Sequence, residues 1–174
     1  MTLDKYTIKA QEAVQAGVQA AQAAQQQSVE PIHLLKGILE KAQDITHFIF
    51  QKLGVNAQAV DMALHNELQH LPKVSGGQPY LSNDSVQVLN KAEELSQKMG
   101  DEFVSVEPIL LALMQGNHTA GRILKDAGCT EEGVRKAIES LRQGQQVKSQ
   151  SGDENYQALS KYATNLVEKA RQGK

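Results

Sequence analysis

Residues 28–39, SVEPIHLLKGIL, and residues 105–114, SVEPILLALM, share a tetrapeptide followed by a run of aliphatic residues. How these two stretches are aligned decides the fold. Matching the identical letters needs an offset of 77 and pairs Lys36 with Leu113 and Ile38 with Gln115, which no shared core face tolerates. An offset of 75 pairs Leu34 with Ile109, Leu35 with Leu110, Gly37 with Ala112, Ile38 with Leu113 and Leu39 with Met114. It also sets Val14 on Leu89, Gly17 on Ala92 and Ala20 on Leu95. Further on, Gly54/Gly128 and Val60/Val134 lie 74 apart, so one residue is lost between. The chain is one unit written twice, with its most visible identity two residues out of phase.

Each unit reads as helical. Tyr6, Ala10, Ala13, Val14, Gly17, Ala20, Ala21 and Ala24 recur at three- and four-residue steps, the spacing of one helix face. That stripe is built of small residues, so a second helix can approach closely. Val88, Leu89, Ala92, Leu95 and Met99 draw the matching stripe. Shorter helical patterns follow each: 34–39, 45–53 and 60–71, then 109–114, 120–127 and 134–141. Gly54 and Gly128 stand where a left-handed glycine ends a helix. Asn56 and Thr130, two residues later, are N-caps for the next. Ser105 and Glu30 occupy equivalent N-cap positions, with Pro31 at the first helical position and Pro108 in the first turn, where a missing N–H costs little. No period-two stretch is long enough to predict a strand. The expected fold is all-α: two four-helix repeats related by a pseudo-two-fold axis, followed by a C-terminal linker helix.

The expected boundaries are a first repeat at 1–72, an inter-repeat linker at 73–83, a second repeat at 84–143, a flexible solvated linker at 144–152 and a helix at 153–174. That helix carries a fresh stripe of Tyr156, Leu159, Ala163, Leu166, Val167 and Ala170. It has no evident partner in the repeats, and it reads as the lead into a further domain.

Composition narrows function. The 174 residues are 40% hydrophobic, 22% charged and 4% aromatic, with a net charge of −2 and no basic block. Phosphate binding needs clustered Lys and Arg, so nucleic acid is not expected. No apolar run approaches the ~20 residues of a membrane span, and there is no signal-peptide core. Cys129 is the single cysteine, which fits a reducing, cytoplasmic setting. It aligns with Val55, as a buried small hydrophobe would.

The search for catalytic chemistry finds none. His65 and His70 are five apart, which puts them roughly 140° apart around a helix, too far to share a metal. His33, His47 and His118 lack partners at ligand spacing. The glycines of 75–79, SGGQP, precede no Lys-Ser/Thr, and Gly173–Lys174 lacks the rest of a phosphate-binding loop. Glu93–Glu94 and Glu131–Glu132 read as surface or first-turn charges.

The stretches LDKYTIKAQEAV (3–14), EPIHLLKGIL (30–39), KMGDEFVSVEPILLALM (98–114) and LRQGQQVKSQ (141–150) resemble the double-repeat N-terminal domain of Clp-family ATPases. The likeness covers essentially the whole chain. Its opening TLDKYT and its final YQALSKYATNLVEKARQGK favour the disaggregase branch over the protease-partner branches. The resemblance implies a mobile, non-catalytic module on a homohexameric ring that threads unfolded or aggregated polypeptides, cooperating with a DnaK-type chaperone system. ATP and magnesium would belong to the full-length protein, and no cofactor to this chain. The resemblance also implies substrate-binding roles for Thr7, Leu89, Asp101, Glu107 and Pro108. Against those roles, Thr7 and Glu107 also read as first-turn residues, Asp101 as a turn residue and Leu89 as core. Where family relatives often carry leucine, this chain has Pro108.

The expected mechanism places an apolar groove at the seam between the repeats. It would hold one or two client side chains, each contributing about 1.5–3 kcal/mol, with a polar rim of Thr7, Asp101 and Glu107. A pore-gating cap and an adaptor-binding module are the alternatives.

Overall fold

The computed structural model describes residues 2–156, 158 and 159. Among them run eight α-helices, α1 (Ile8–Ala23), α2 (Pro31–Lys41), α3 (Gln43–Leu53), α4 (Ala57–Gln69), α5 (Asn83–Lys98), α6 (Val106–Gln115), α7 (Thr119–Asp126) and α8 (Glu131–Arg142), and a 3-10 helix at Gly152–Asn155. They form two quartets, α1–α4 and α5–α8, in the register expected. Thr7 and Ser82, 75 apart, are the N-caps of α1 and α5, each accepting a backbone N–H in the first turn. Asn56 and Thr130 cap α4 and α8 in the same way. Gly54 stops α3 in the left-handed region at φ 68°.

The small-residue stripe of α1 lies against α2, its principal packing partner. A Cβ on Gly17 would sit 2.6 Å from the His33 carbonyl oxygen, and one on Gly37 would collide with the Ala13 carbonyl. In the second repeat the same two positions are Ala92 and Ala112, both buried. The α1–α2 contact is therefore closer by a methyl group on each side than its α5–α6 counterpart.

Two short parallel pairings tie the halves together. Strand β1 (Ser28–Val29) pairs with β2 (Tyr80–Leu81), and Tyr6 forms a lone parallel bridge with Val104. Adding 75 to Tyr6 and Val29 gives Leu81 and Val104, so the two pairings are images of each other. The lead-in to each repeat's first helix thus pairs with the lead-in to the other repeat's second helix. Thr7 N–H donates to the Val104 carbonyl at 2.9 Å, and Ser82 N–H to the Val29 carbonyl at 3.0 Å. Two-residue pairings leave no period in the sequence, so this exchange was not predicted.

The junction between repeats is largely apolar. Helix α6 is buried from Val106 to Met114, and it meets α2 at the pseudo-two-fold axis. One continuous apolar cluster includes Leu35 and Ile49 of the first half and Leu110 and Ile138 of the second. Along this seam α2 and α6 pack through aliphatic side chains, and at its edge an opening of about 210 Å³ remains between the repeats, lined by Pro31, Ile32 and Leu71 from the first half and Asp84, His118 and Ala120 from the second, so the expected apolar crevice is reduced there to a partly polar pocket.

Two expectations about the C-terminal stretch are also corrected. Residues 144–152 are not simply a solvated linker, because Val147 is fully buried and three backbone hydrogen bonds anchor the segment. Tyr156, Ala158 and Leu159, the start of the last apolar stripe, are buried against the repeats. Ala163, Leu166, Val167 and Ala170 lie outside the described residues.

Candidate functional site

In each repeat the first and fourth helices stand apart, and their divergence opens a groove. The groove of the second repeat is about 330 Å³ and is lined by Met99, Arg135, Ile138, Glu139, Arg142, Gly144, Gln145 and Gln146. That of the first repeat is about 380 Å³ and is lined by Ala20, Ala24, Gln26, His33, Lys36, His65, Leu68, Gln69 and Lys73. The repeat register makes them counterparts: Ala24 aligns with Met99, His65 with Glu139 and Leu68 with Arg142. Groove formation is thus a property of the quartet, expressed twice.

The polar groups behind the two grooves differ. In the first repeat His33 holds a neutral network. Its Nδ1 accepts the Glu30 N–H at 2.9 Å, and its Nε2 meets Gln26 Oε1 at 2.7 Å. Gln26 Nε2 then donates to the Leu68 carbonyl at 2.9 Å. Burial pushes the imidazole pKa down to about 4, against a smaller upward pull from Glu30, so the ring is neutral near pH 7.

The second repeat places ions there. Asp101, the counterpart of Gln26, accepts from Arg142 Nη1 on both carboxylate oxygens, at 2.9 and 2.8 Å, and from Val147 N–H on Oδ1 at 3.0 Å. Arg142 Nη2 donates to Ser105 Oγ at 2.9 Å and reaches Glu107 Oε2 at 3.4 Å. Ser105 Oγ in turn donates to Glu107 Oε2. Burial alone would lower the guanidinium pKa, but Glu107, Tyr156 and Asp101 together hold it above its ordinary value. Arg142 is 7% exposed and Glu107 0%, so each ion depends on the other for its solvation.

The C-terminal segment closes this network. Thr7 Oγ1, while capping α1, donates to Asp153 Oδ2 at 2.7 Å. Tyr156 lies 5.9 Å from the Arg142 guanidinium carbon, ring centroid to Cζ, within cation–π range. Asp153 is fully buried, and its pKa is raised to about 6, first by that burial and then by Glu107, with Thr7 and Lys9 opposing. Glu107 Oε1, Arg142 Nε and Asp153 Oδ1 are buried without a hydrogen-bond partner among the described residues, and the Tyr156 hydroxyl lies beside Ser105. Each unpartnered atom costs roughly 1–3 kcal/mol.

The five expected binding residues therefore sit as follows. Thr7, Asp101 and Glu107 converge on one buried network. Leu89 is 0% exposed in the core, and Pro108 is buried in the first turn of α6. None of the five side chains faces solvent in this arrangement. Arg142, Ser105, Asp153 and Tyr156 were not foreseen. Arg142 had a signal: it follows Val134, Ile138 and Leu141 on the apolar face of α8, where a cation needs a buried partner.

The remaining candidates are ordinary. His65 and His70 are exposed on α4, and no metal-binding group of His, Cys, Asp or Glu occurs among the described residues. Cys129 is 3% exposed, and burial raises its thiol pKa to about 11, which leaves it protonated and unreactive. No helix among the described residues is long and apolar enough to cross a membrane.

Two intertwined four-helix repeats, each with an open groove between its first and fourth helices, define a helical tandem-repeat domain without a catalytic constellation among the described residues. The sequence profile of the Clp repeat (R) N-terminal domain matches residues 5–127, and the chain belongs to that family. It is 53% identical to the chaperone protein ClpB of Bacteroides thetaiotaomicron and 45% identical to that of Porphyromonas gingivalis, over 174 residues in both cases. All of the chain is covered in each match, and it spans 20% of each relative's length. The Hsp104 N-terminal domain of Candida albicans shares the fold, with a TM-score of 0.75 at 21% identity over 86% of this chain and 99% of that one.

Proposed function

We propose that this chain is the client-engaging N-terminal domain of an ATP-dependent protein disaggregase. In this reading it binds exposed apolar segments of unfolded or aggregated protein weakly and passes them to an ATPase ring. The chain contributes no chemistry itself. ATP, magnesium, a hexameric ring and a DnaK-type partner belong to the whole protein, which would work in the cytoplasm.

The observation that carries the reading is the second-repeat groove within a chain matching ClpB chaperones from end to end. Its floor is Ile138 and the half-buried Met99, and its wall is Arg142, immobilised by Asp101. Burial of one or two client side chains against such a floor contributes about 1.5–3 kcal/mol each, and association costs consume much of that. The outcome is weak, reversible capture, which a module that must hand over its client requires. Several copies on a ring would restore avidity through effective concentration. Asp101 and Glu107 act on the groove through Arg142, the residue of its wall that they hold in place.

The test is an NMR titration of the chain with unfolded casein. Amide shifts should cluster at Met99, Ile138 and 144–146, and Met99→Glu should weaken binding at least fivefold with the fold intact. Shifts confined to other surfaces would overturn the assignment.

A further inference from the structure

Charge separates the two grooves. Lys36, His65 and Lys73 line the first-repeat groove and no carboxylate does, whereas Glu139 lines the second beside Arg135 and Arg142. Arg142 is already committed to Asp101. Lys73 is exposed and forms no ion pair among the described residues. Lys36 holds only Glu40, at 3.2 Å, with side chains 39% and 47% exposed, and exposed pairs of this kind are weak. Two ammonium groups thus stand at one opening with little to neutralise them.

The floor beneath them is electrically quiet. Ala20, Ala24 and Leu68 supply its apolar surface. The polar groups behind it satisfy one another: Gln26 Nε2 donates to the Leu68 carbonyl, Gln26 Oε1 meets His33 Nε2, and the Glu30 N–H donates to His33 Nδ1. Gln26 is 4% exposed and His33 0%. An apolar body laid on this floor strips water from no unpaired polar atom. A polypeptide backbone would bring donors and acceptors for which the floor has no partner left.

The outer wall leaves room for such a body. Helix α4 buries only Val60 and Leu64, whereas α8 buries Val134, Ala137, Ile138, Leu141 and Arg142. In the repeat register, exposed Ala63 and half-buried Leu68 stand where α8 has buried Ala137 and Arg142. At about 380 Å³ the groove falls within the range of small-molecule sites, roughly 300–1,000 Å³,.

We propose that the first-repeat groove is a binding site for a small amphipathic anion, an aliphatic or aromatic body that carries one carboxylate or sulfonate. The body lies on Ala20, Ala24 and Leu68, and Lys36 and Lys73 meet the head group. Occupancy braces α4 against α1 and stabilises the domain by mass action. The site is separate from the client groove of the second repeat and does not depend on the capture reading.

The probe is decanoate below its micelle concentration, with decanol as the uncharged control, titrated into the 174-residue chain and followed by amide NMR. Shifts should cluster at Ala20, Ala24, Lys36 and Leu68, and decanoate should bind at least tenfold more tightly than decanol. Lys36→Gln combined with Lys73→Gln should weaken decanoate at least tenfold, because the charge-assisted contacts to its head group are lost, and leave decanol unchanged. Arg135→Gln, in the second groove, should change neither. Saturating decanoate should slow amide exchange in α4 at least threefold and leave α8 as it was. Equal binding of acid and alcohol, or shifts confined to the second groove, overturns the proposal. If the double variant loses its helical circular dichroism, the shift map and the acid-to-alcohol ratio of the wild type decide. Unfolded casein separates this site from the capture reading, since Met99→Glu should weaken casein and not decanoate. Decanoate binding lost with casein binding kept removes this site alone, and the converse removes the capture reading alone.

Discussion

The two repeats share a backbone plan yet solve the same two problems differently. Behind its groove the first uses a neutral His33–Gln26 network, and the second an ionic cluster around Arg142. After its fourth helix the first keeps the chain on its surface: residues 72–78 are all exposed, Val74 by 48%, although Val74 N–H donates to the Gln25 carbonyl at 2.8 Å. The second takes the chain back, burying Val147, Asp153 and Tyr156. The lesson is that duplication preserved the apolar register while the polar positions diverged. A helix quartet needs its apolar face, whereas the groups at its rim answer to whatever the chain does next.

Breaking that comparison at its strongest point means removing Arg142. Arg142→Ala leaves Asp101 and Glu107 buried without their cation and should cost about 3–5 kcal/mol. Gln26→Ala, at the equivalent site, orphans only neutral groups and should cost about 1–3 kcal/mol. Urea unfolding of the two variants measures the difference, and equal losses would erase the distinction between the networks.

Next in size is the helix contact. Gly37→Ala drives a methyl into the Ala13 carbonyl and should cost about 3 kcal/mol through overpacking. The reciprocal Ala112→Gly should cost about 1 kcal/mol, the helix-propensity difference. Thermal melts of both variants would check the asymmetry.

The pH response sharpens the contrast because its signs are opposed. His33, held near pKa 4 against an ordinary 6.5, stabilises the fold fully above pH 6.5 and loses that contribution as pH falls toward 4,. Asp153, raised from 3.8 to about 6, does the reverse: its penalty is complete above pH 6 and gone below 3.8. Each is worth about 3 kcal/mol at most, at 1.36 kcal/mol per unit. Asp153→Asn should therefore exceed wild type in stability at pH 7 and match it at pH 4. Denaturant midpoints between those limits provide the check.

The smallest expected effect compares the two exits directly. Val147→Ala should cost about 1–2 kcal/mol through lost burial, and Val74→Ala less than about 0.5 kcal/mol, the usual range for an exposed site.

Much of the fold was legible because helices announce themselves locally. Asn56 and Thr130 cap where their spacing from Gly54 and Gly128 said they would, and the small stripe of α1 became a close helix contact. How much of the seam stays open was not legible, because apolar residues at 34–39 and 109–114 look alike whether they line a trough or pack into a core. The docking of the segment after α8 was missed for another reason. Val147 and Asp153 sit in a polar stretch without period, and the stripe that begins at Tyr156 does not name its partner, so their burial depends on residues more than a hundred positions away at Thr7, or on Arg142 of α8.

What the chain's letters decided alone was the helical class, the duplication and its register, since these depend on contacts three and four residues apart and on a pattern repeated 75 residues later. Tertiary structure decided where the openings lie, how the halves exchange their short strands, and which charges are buried. Those outcomes depend on how distant surfaces fit together, and a linear periodicity holds no information about fit.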